Sequence, residues 1–97
     1  MFLLFITLNK EIEHITSWSE YWVIFDKLIN LLKSDNKINI VEEFLDAQRF
    51  VNGMTDGWFE FKFAFEKSLN LFRVYMTEEQ NNIADFLLAT LNKSLIK

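Results

Sequence analysis

The chain contains no proline, and its only two glycines are Gly53 and Gly57. Residues that fix φ or permit positive φ are therefore scarce, and little in the chain can interrupt a helix. Helices joined by short polar loops are the architecture this predicts. Both glycines fall in one stretch, Val51 to Phe65, reading VNGMTDGWFEFKFAF, where a turn runs straight into a dense aromatic segment.

A chain of 97 residues makes one domain. Folding at this size hides roughly 60–70% of the unfolded surface, enough to hold without covalent staples. Apolar residues make up 51%, including three tryptophans and eleven phenylalanines, so core material is plentiful. There is no cysteine, which excludes a disulfide framework and a thiolate metal site and fits a reducing compartment.

The net charge of −4, with Arg49 and Arg73 the only arginines, argues against nucleic acid as a partner, since phosphate binding needs a basic patch. The apolar run Phe2–Ile6 is far shorter than the ~20 residues of a membrane span. No basic residue precedes it and no small-residue cleavage site follows, so it does not read as a signal peptide. A cytoplasmic protein with no membrane partner is expected.

Five amphipathic helices are predicted. In the first, Met1 to Ile15, Leu4, Leu8, Ile12 and Ile15 recur at helical spacing; a strand over Phe2–Leu8 is the alternative. The second opens on the capping-box pattern Ser17–Glu20. Trp18, Tyr21, Trp22, Phe25, Leu28, Ile29 and Leu32 give it a sustained apolar face, and it ends in the polar loop Lys33–Lys37. The third runs from Asn39, as N-cap, to Asn52. Ile40, Val41, Phe44, Leu45, Gln48 and Val51 face inward, Glu42 and Glu43 occupy the first turn, and Gly53 is the C-terminal cap.

Thr55 or Asp56 would cap the fourth helix. The alternation of Phe59, Phe61, Phe63 and Phe65 also fits a strand. The helical template Trp58, Phe61, Phe65, Leu69, Phe72, Met76 runs further, and helix is the reading adopted, with Phe59, Phe63 and Ala64 widening the buried face. Thr77–Gln80 is a second capping box. It opens a last helix reaching about Leu95, with Ile83, Phe86, Leu87, Thr90, Leu91 and Leu95 inward.

No catalytic constellation stands out. His14 is the sole histidine, and its only same-face carboxylate is Glu11, too little for a metal site. Gly53-x-x-x-Gly57 lacks the Lys-Ser/Thr of a phosphate loop. The acids Glu78 and Glu79 are explained by a helix start, and no Ser-His-Asp order emerges. The expectation is a non-enzyme without cofactor or metal. The aromatic run reads as core. Between Glu42 and Glu60, however, Glu42, Glu43, Asp46, Asp56 and Glu60 face only Arg49 in charge. Those five acids, with Trp58, are the candidate partner-binding surface, weighed against the ordinary solvated face that any helix needs.

Three segments carry a family resemblance: SWSEYWVIFDKL from Ser17 to Leu28, FLDAQRFVNGMTDGW from Phe44 to Trp58 leading into FEF, and TEEQ…ADFL…LNKSL from Thr77 to Leu95. Together they resemble the small all-α bacterial immunity proteins of contact-dependent growth inhibition and polymorphic toxin systems. The resemblance implies a stoichiometric inhibitor that covers or distorts the active site of a cognate toxin domain. It implies no catalytic residues. Many such toxins are nucleases with basic clefts, for which an acidic inhibitor surface stands in for phosphate and speeds encounter. On this reading the aromatic anchor is whichever of Trp58, Phe59 or Tyr75 is exposed. Two other readings stay open: a helical interaction module acting as a homodimer, and a small ligand-binding protein with a pocket lined by Trp22, Phe61 and Phe65.

Overall fold

A computed structural model describes residues 17–51 and 55–95. Four α-helices make up the described residues: α1 (Trp18–Ser34), α2 (Ile38–Gln48), α3 (Thr55–Phe72) and α4 (Glu78–Ser94), with a 3-10 turn at Arg73–Tyr75. The all-α expectation holds for these residues, and the aromatic alternation at 59–65 is helix, not strand. The helix expected over Met1–Ile15 lies outside the described residues, as do His14, Asn52 and Gly53.

Consecutive helices pack against each other, and α4 closes on α1. Close approaches fix the directions. Phe44 meets Phe65 while the Phe50 backbone lies on Gly57, which runs α2 antiparallel to α3. The Tyr21 hydroxyl donates to Leu87 O at 3.2 Å while Gln80 reaches Leu31 O, which runs α4 antiparallel to α1. Helices α1 and α3 face each other across the core in parallel, because their rings meet in the same order along both: Trp22 on Trp58, then Phe25 on Phe61 and on Phe65.

The inner faces follow the apolar spacing. Tyr21, Phe25, Leu28 and Leu32 from α1, Phe44 from α2, Phe61, Phe65 and Leu69 from α3, and Leu87 and Leu91 from α4 are fully buried. Burying each such side chain contributes about 1.5–3 kcal/mol. Tyr21 keeps its one polar atom satisfied through Leu87 O, and burial pushes its phenol far above the ordinary value. Among the described residues no buried side-chain polar atom lacks a partner.

Several boundaries differ from the sequence reading. Helix α2 begins at Ile38 and stops at Gln48, so Asn39 lies inside it, and Lys37 is the N-cap without a side-chain capping bond. Its first turn consequently contains no acid; Glu42 and Glu43 sit one turn later. Arg49, Phe50 and Val51 leave the helix in a turn, with Val51 N–H donating to Gln48 O at 3.0 Å. The fourth predicted helix begins at Thr55, so Asp56 is a first-turn acid and not a cap, and it ends at Phe72. Met76 is extended and closes the 3-10 turn. Phe63 is 65% exposed, because a helix that buries Phe61 and Phe65 turns the residue between them outward.

Gly57 is likewise not part of a turn; it lies inside α3. A Cβ there would run into Phe50 O and stand 3.2 Å from Phe50 C and 3.3 Å from Val51 Cα. All three are backbone atoms that cannot swing aside. Gly57 is therefore the contact point at which α3 lies directly on the chain leaving α2.

Candidate functional site

The bundle has two unlike ends. Helices α1 and α3 both start at the first. Ser17 caps α1, its hydroxyl accepting from Glu20 N–H at 3.3 Å. One residue on, Trp18 lies 4.2 Å from Trp58, centroid to centroid. Trp22, one turn further along α1, stacks on the same indole at 5.2 Å. The three tryptophans of the chain thus gather around Trp58, and Tyr21 meets Trp18 edge-on at 5.6 Å. Below them Phe61 stacks on Phe65 at 5.4 Å and continues the column into the core.

This end also carries carboxylates. Asp56 and Glu60 lie two residues before and after Trp58 in the first turns of α3, both exposed, and so project from the side of the helix away from that indole. Asp56 is favoured there by the positive end of the helix dipole. Glu60 lies beyond the first turn, where that effect has largely faded. On α2, Glu42, Glu43 and Asp46 are exposed as well. Asp46 is ion-paired with Arg49 at 2.8 Å. Among the described residues no ion pair involves Asp56, Glu60, Glu42 or Glu43.

The structure thus exposes all five acids predicted as partner-binding and sets them on two neighbouring helices. Trp58 is half-buried among rings and is not a free anchor. Of the three anchor candidates, Tyr75 is the exposed one, but it lies past the far end of α3, a helix of about 27 Å, away from Asp56 and Glu60. The sequence reading assigned Trp18 to the buried face. In the structure it keeps 38% of its surface in solvent. Its position as first residue of the helix was the available signal, since a ring there overhangs the end of the bundle.

The opposite end is polar. Gln80, only 3% exposed, is its hub. Its amide donates to Asp35 Oδ2 at 2.8 Å, and its Oε1 accepts from Lys37 Nζ at 3.0 Å and from Thr77 N–H at 2.9 Å. The Thr77 hydroxyl accepts in return from Gln80 N–H at 3.1 Å, completing the capping box. The hydrogen bond from Gln80, then that from Lys37, hold the Asp35 carboxyl below its ordinary value. Nearby, Arg73 grips Asp85 with two hydrogen bonds of 2.8 and 3.2 Å. An open cleft of about 440 Å³ lies beside this network, lined by Asn36–Ile40, Phe72 and Tyr75.

No family model, no curated protein and no solved structure matches the chain.

The pocket expected at Trp22, Phe61 and Phe65 is filled: Phe61 and Phe65 are fully buried and in ring contact. Among the described residues no group of His, Cys, Asp and Glu could hold a metal ion, and no helix is long and apolar enough to cross a membrane. What the geometry offers is surface: exposed carboxylates on α2 and α3, and a partly exposed Trp18 at the start of α1.

Proposed function

We propose that this chain is an immunity protein that binds a cognate bacterial toxin domain, probed most directly with nuclease toxins, and neutralises it by covering its active site from within the cytoplasm. The observation that carries the reading is the exposure of Asp56 and Glu60 in the first turns of α3 and of Glu42 and Glu43 on the neighbouring α2, all four without ion-pair partners among the described residues. Exposed carboxylates steer a basic cleft, and the partly exposed Trp18 supplies aromatic contact area. The segments that carry the family resemblance cover α1 as far as Leu28, the α2–α3 junction and α4.

The proposal predicts a toxin reading frame adjacent to this gene, and co-expression with it is the test. The two proteins are expected to co-purify one to one and growth to be restored. Growth arrest despite abundant folded protein overturns the reading. A second reading, association of two copies, is favoured by the exposure of Leu71, Val74 and Tyr75, Val74 reaching 82%. It gives a mass near twice 11.6 kDa by light scattering.

A further inference from the structure

We infer that the outer face of α3, carrying Glu60, Phe63, Lys67 and Leu71, receives a second copy of this chain, docked through the same helix in antiparallel register about a two-fold axis beside Phe63. The inference rests on the two-copy reading and adds to it a contact surface and a direction, each of which can fail separately.

Spacing gathers these four residues. They follow one another at intervals of three, four and four along α3, so they share one side of the helix. Phe61, Phe65 and Leu69 are fully buried on the other side. Helix α3 is thus apolar on two sides, and the core fills only one of them. Phe63 is 65% exposed and Leu71 63%, with the Lys62 ammonium 5.9 Å from the Phe63 ring. Val74, in the 3-10 turn that follows, continues the stripe at 82%. One exposed apolar side chain is ordinary. Three in line, on a helix that already fills the core from its opposite side, mark a surface for an occupant.

The charges select that occupant. Glu60 and Lys67 are both exposed, and no ion pair among the described residues involves either. Seven positions separate them, about 10 Å along the axis, whereas only residues three or four apart are neighbours on a helix. They cannot pair within one helix, but across an antiparallel copy they match. An axis between Phe63 and Ala64 sets Glu60 opposite Lys67 of the second copy, and Lys67 opposite Glu60 of the second copy. One symmetry operation forms both pairs, as a self-complementary contact requires. Phe63 then rests over Ala64 of the second copy, between the two ion pairs, where a small side chain leaves room for the ring. A parallel pairing would oppose Glu60 to Glu60 and Lys67 to Lys67 and is repelled. Antiparallel helices also set their dipoles head to tail. One helix pair lies at the small end of specific interfaces, so the dimer should form and dissociate with concentration. A toxin domain that uses Glu60 displaces the second copy, which keeps the toxin complex one to one.

Light scattering and sedimentation of the whole protein over a wide range of concentration provide the test. The mass should rise towards twice 11.6 kDa. Glu60→Lys or Lys67→Glu alone opposes like charges at both ends of the contact and should weaken association roughly five- to thirty-fold. Glu60→Lys combined with Lys67→Glu restores both pairs and should recover it. Phe63→Ala removes the central ring and should leave a monomer. All three positions are solvent-facing, and unchanged helical circular dichroism verifies that each variant is folded. A monomer at every concentration overturns the inference and the two-copy reading together, and gives the face to another occupant. A dimer untouched by Phe63→Ala overturns the inference alone and leaves association through a different surface. Association lost in the single reversals and not recovered in the double one overturns the antiparallel register.

Discussion

The tryptophan end and the glutamine end close the same four helices by opposite means. At the first, rings meet rings: Trp18, Trp22 and Trp58, then Phe61 and Phe65, with no hydrogen bond joining α1 to α3 among the described side chains. At the second, a single buried amide links the α1–α2 loop to the start of α4 through Asp35, Lys37 and Thr77. Ring contacts tolerate small shifts; hydrogen bonds fix distance and direction. The aromatic end leaves Trp18 38% exposed, whereas the polar end is internally satisfied and specifies how the helices are joined.

That contrast makes its largest prediction at Phe61. The ring is fully buried and touches Tyr21, Trp22, Phe25, Trp58 and Phe65. Phe61→Ala removes the piece shared by both diagonal helices and should cost about 3–5 kcal/mol. Against a total stability of roughly 5–15 kcal/mol, the urea midpoint should collapse or the protein be found largely unfolded. A loss below ~1.5 kcal/mol would show that the aromatic column is ornamental to stability.

A smaller effect is expected at the other end. Gln80→Ala leaves the Asp35 carboxylate, the Lys37 ammonium and the Thr77 N–H each one partner short and should cost about 1–3 kcal/mol. For a domain of this size each kcal/mol lowers the melting temperature by roughly 4–8 °C. The neighbouring Arg73–Asp85 pair is half-exposed and should contribute no more than about 1 kcal/mol. If Gln80→Ala proves costlier than Phe61→Ala, the two ends exchange roles: the polar hub carries the fold and the rings merely cover it.

The two ends also differ in how far the sequence disclosed them. The helices and their buried faces were legible, because apolar spacing is a local signal and Thr77–Gln80 is a local motif. What Gln80 does beyond its own turn was not legible. Its bonds to Asp35 and Lys37 join residues more than forty positions apart, and no spacing rule connects them. Gly57 was misread for the same reason. Four residues after Gly53 it looks like turn chemistry, yet its cause is the Phe50 backbone packed on α3. Phe63 was misplaced because a continuous aromatic run hides which of its members a helix turns outward. Of the candidate site, the exposure of the acids was readable from their positions opposite the apolar faces. The part played by Trp18 was not, since only tertiary packing shows an end-of-helix ring resting on Trp58.

The smallest effect is the most specific to the polar end. Bonds from Gln80 and Lys37 lower the Asp35 carboxyl from its ordinary value of 3.8. In the folded protein Asp35 thus takes up its proton at lower pH than in the unfolded chain. Its stabilising contribution is complete above the ordinary carboxylate range and is lost as pH falls through the depressed folded value. Asp35→Asn removes this titration while leaving every other carboxylate in place. The difference in urea midpoint between the parent protein and Asp35→Asn should therefore be constant from pH 7 to about pH 5 and shrink below about pH 4. The other acids titrate in both proteins and cancel in the difference. A gap that stays constant into strong acid would mean that the bonds from Gln80 and Lys37 favour the ionised carboxyl no more than the protonated one. The polar end would then be held by shape and neutral hydrogen bonds, and its contrast with the aromatic end would be one of geometry alone.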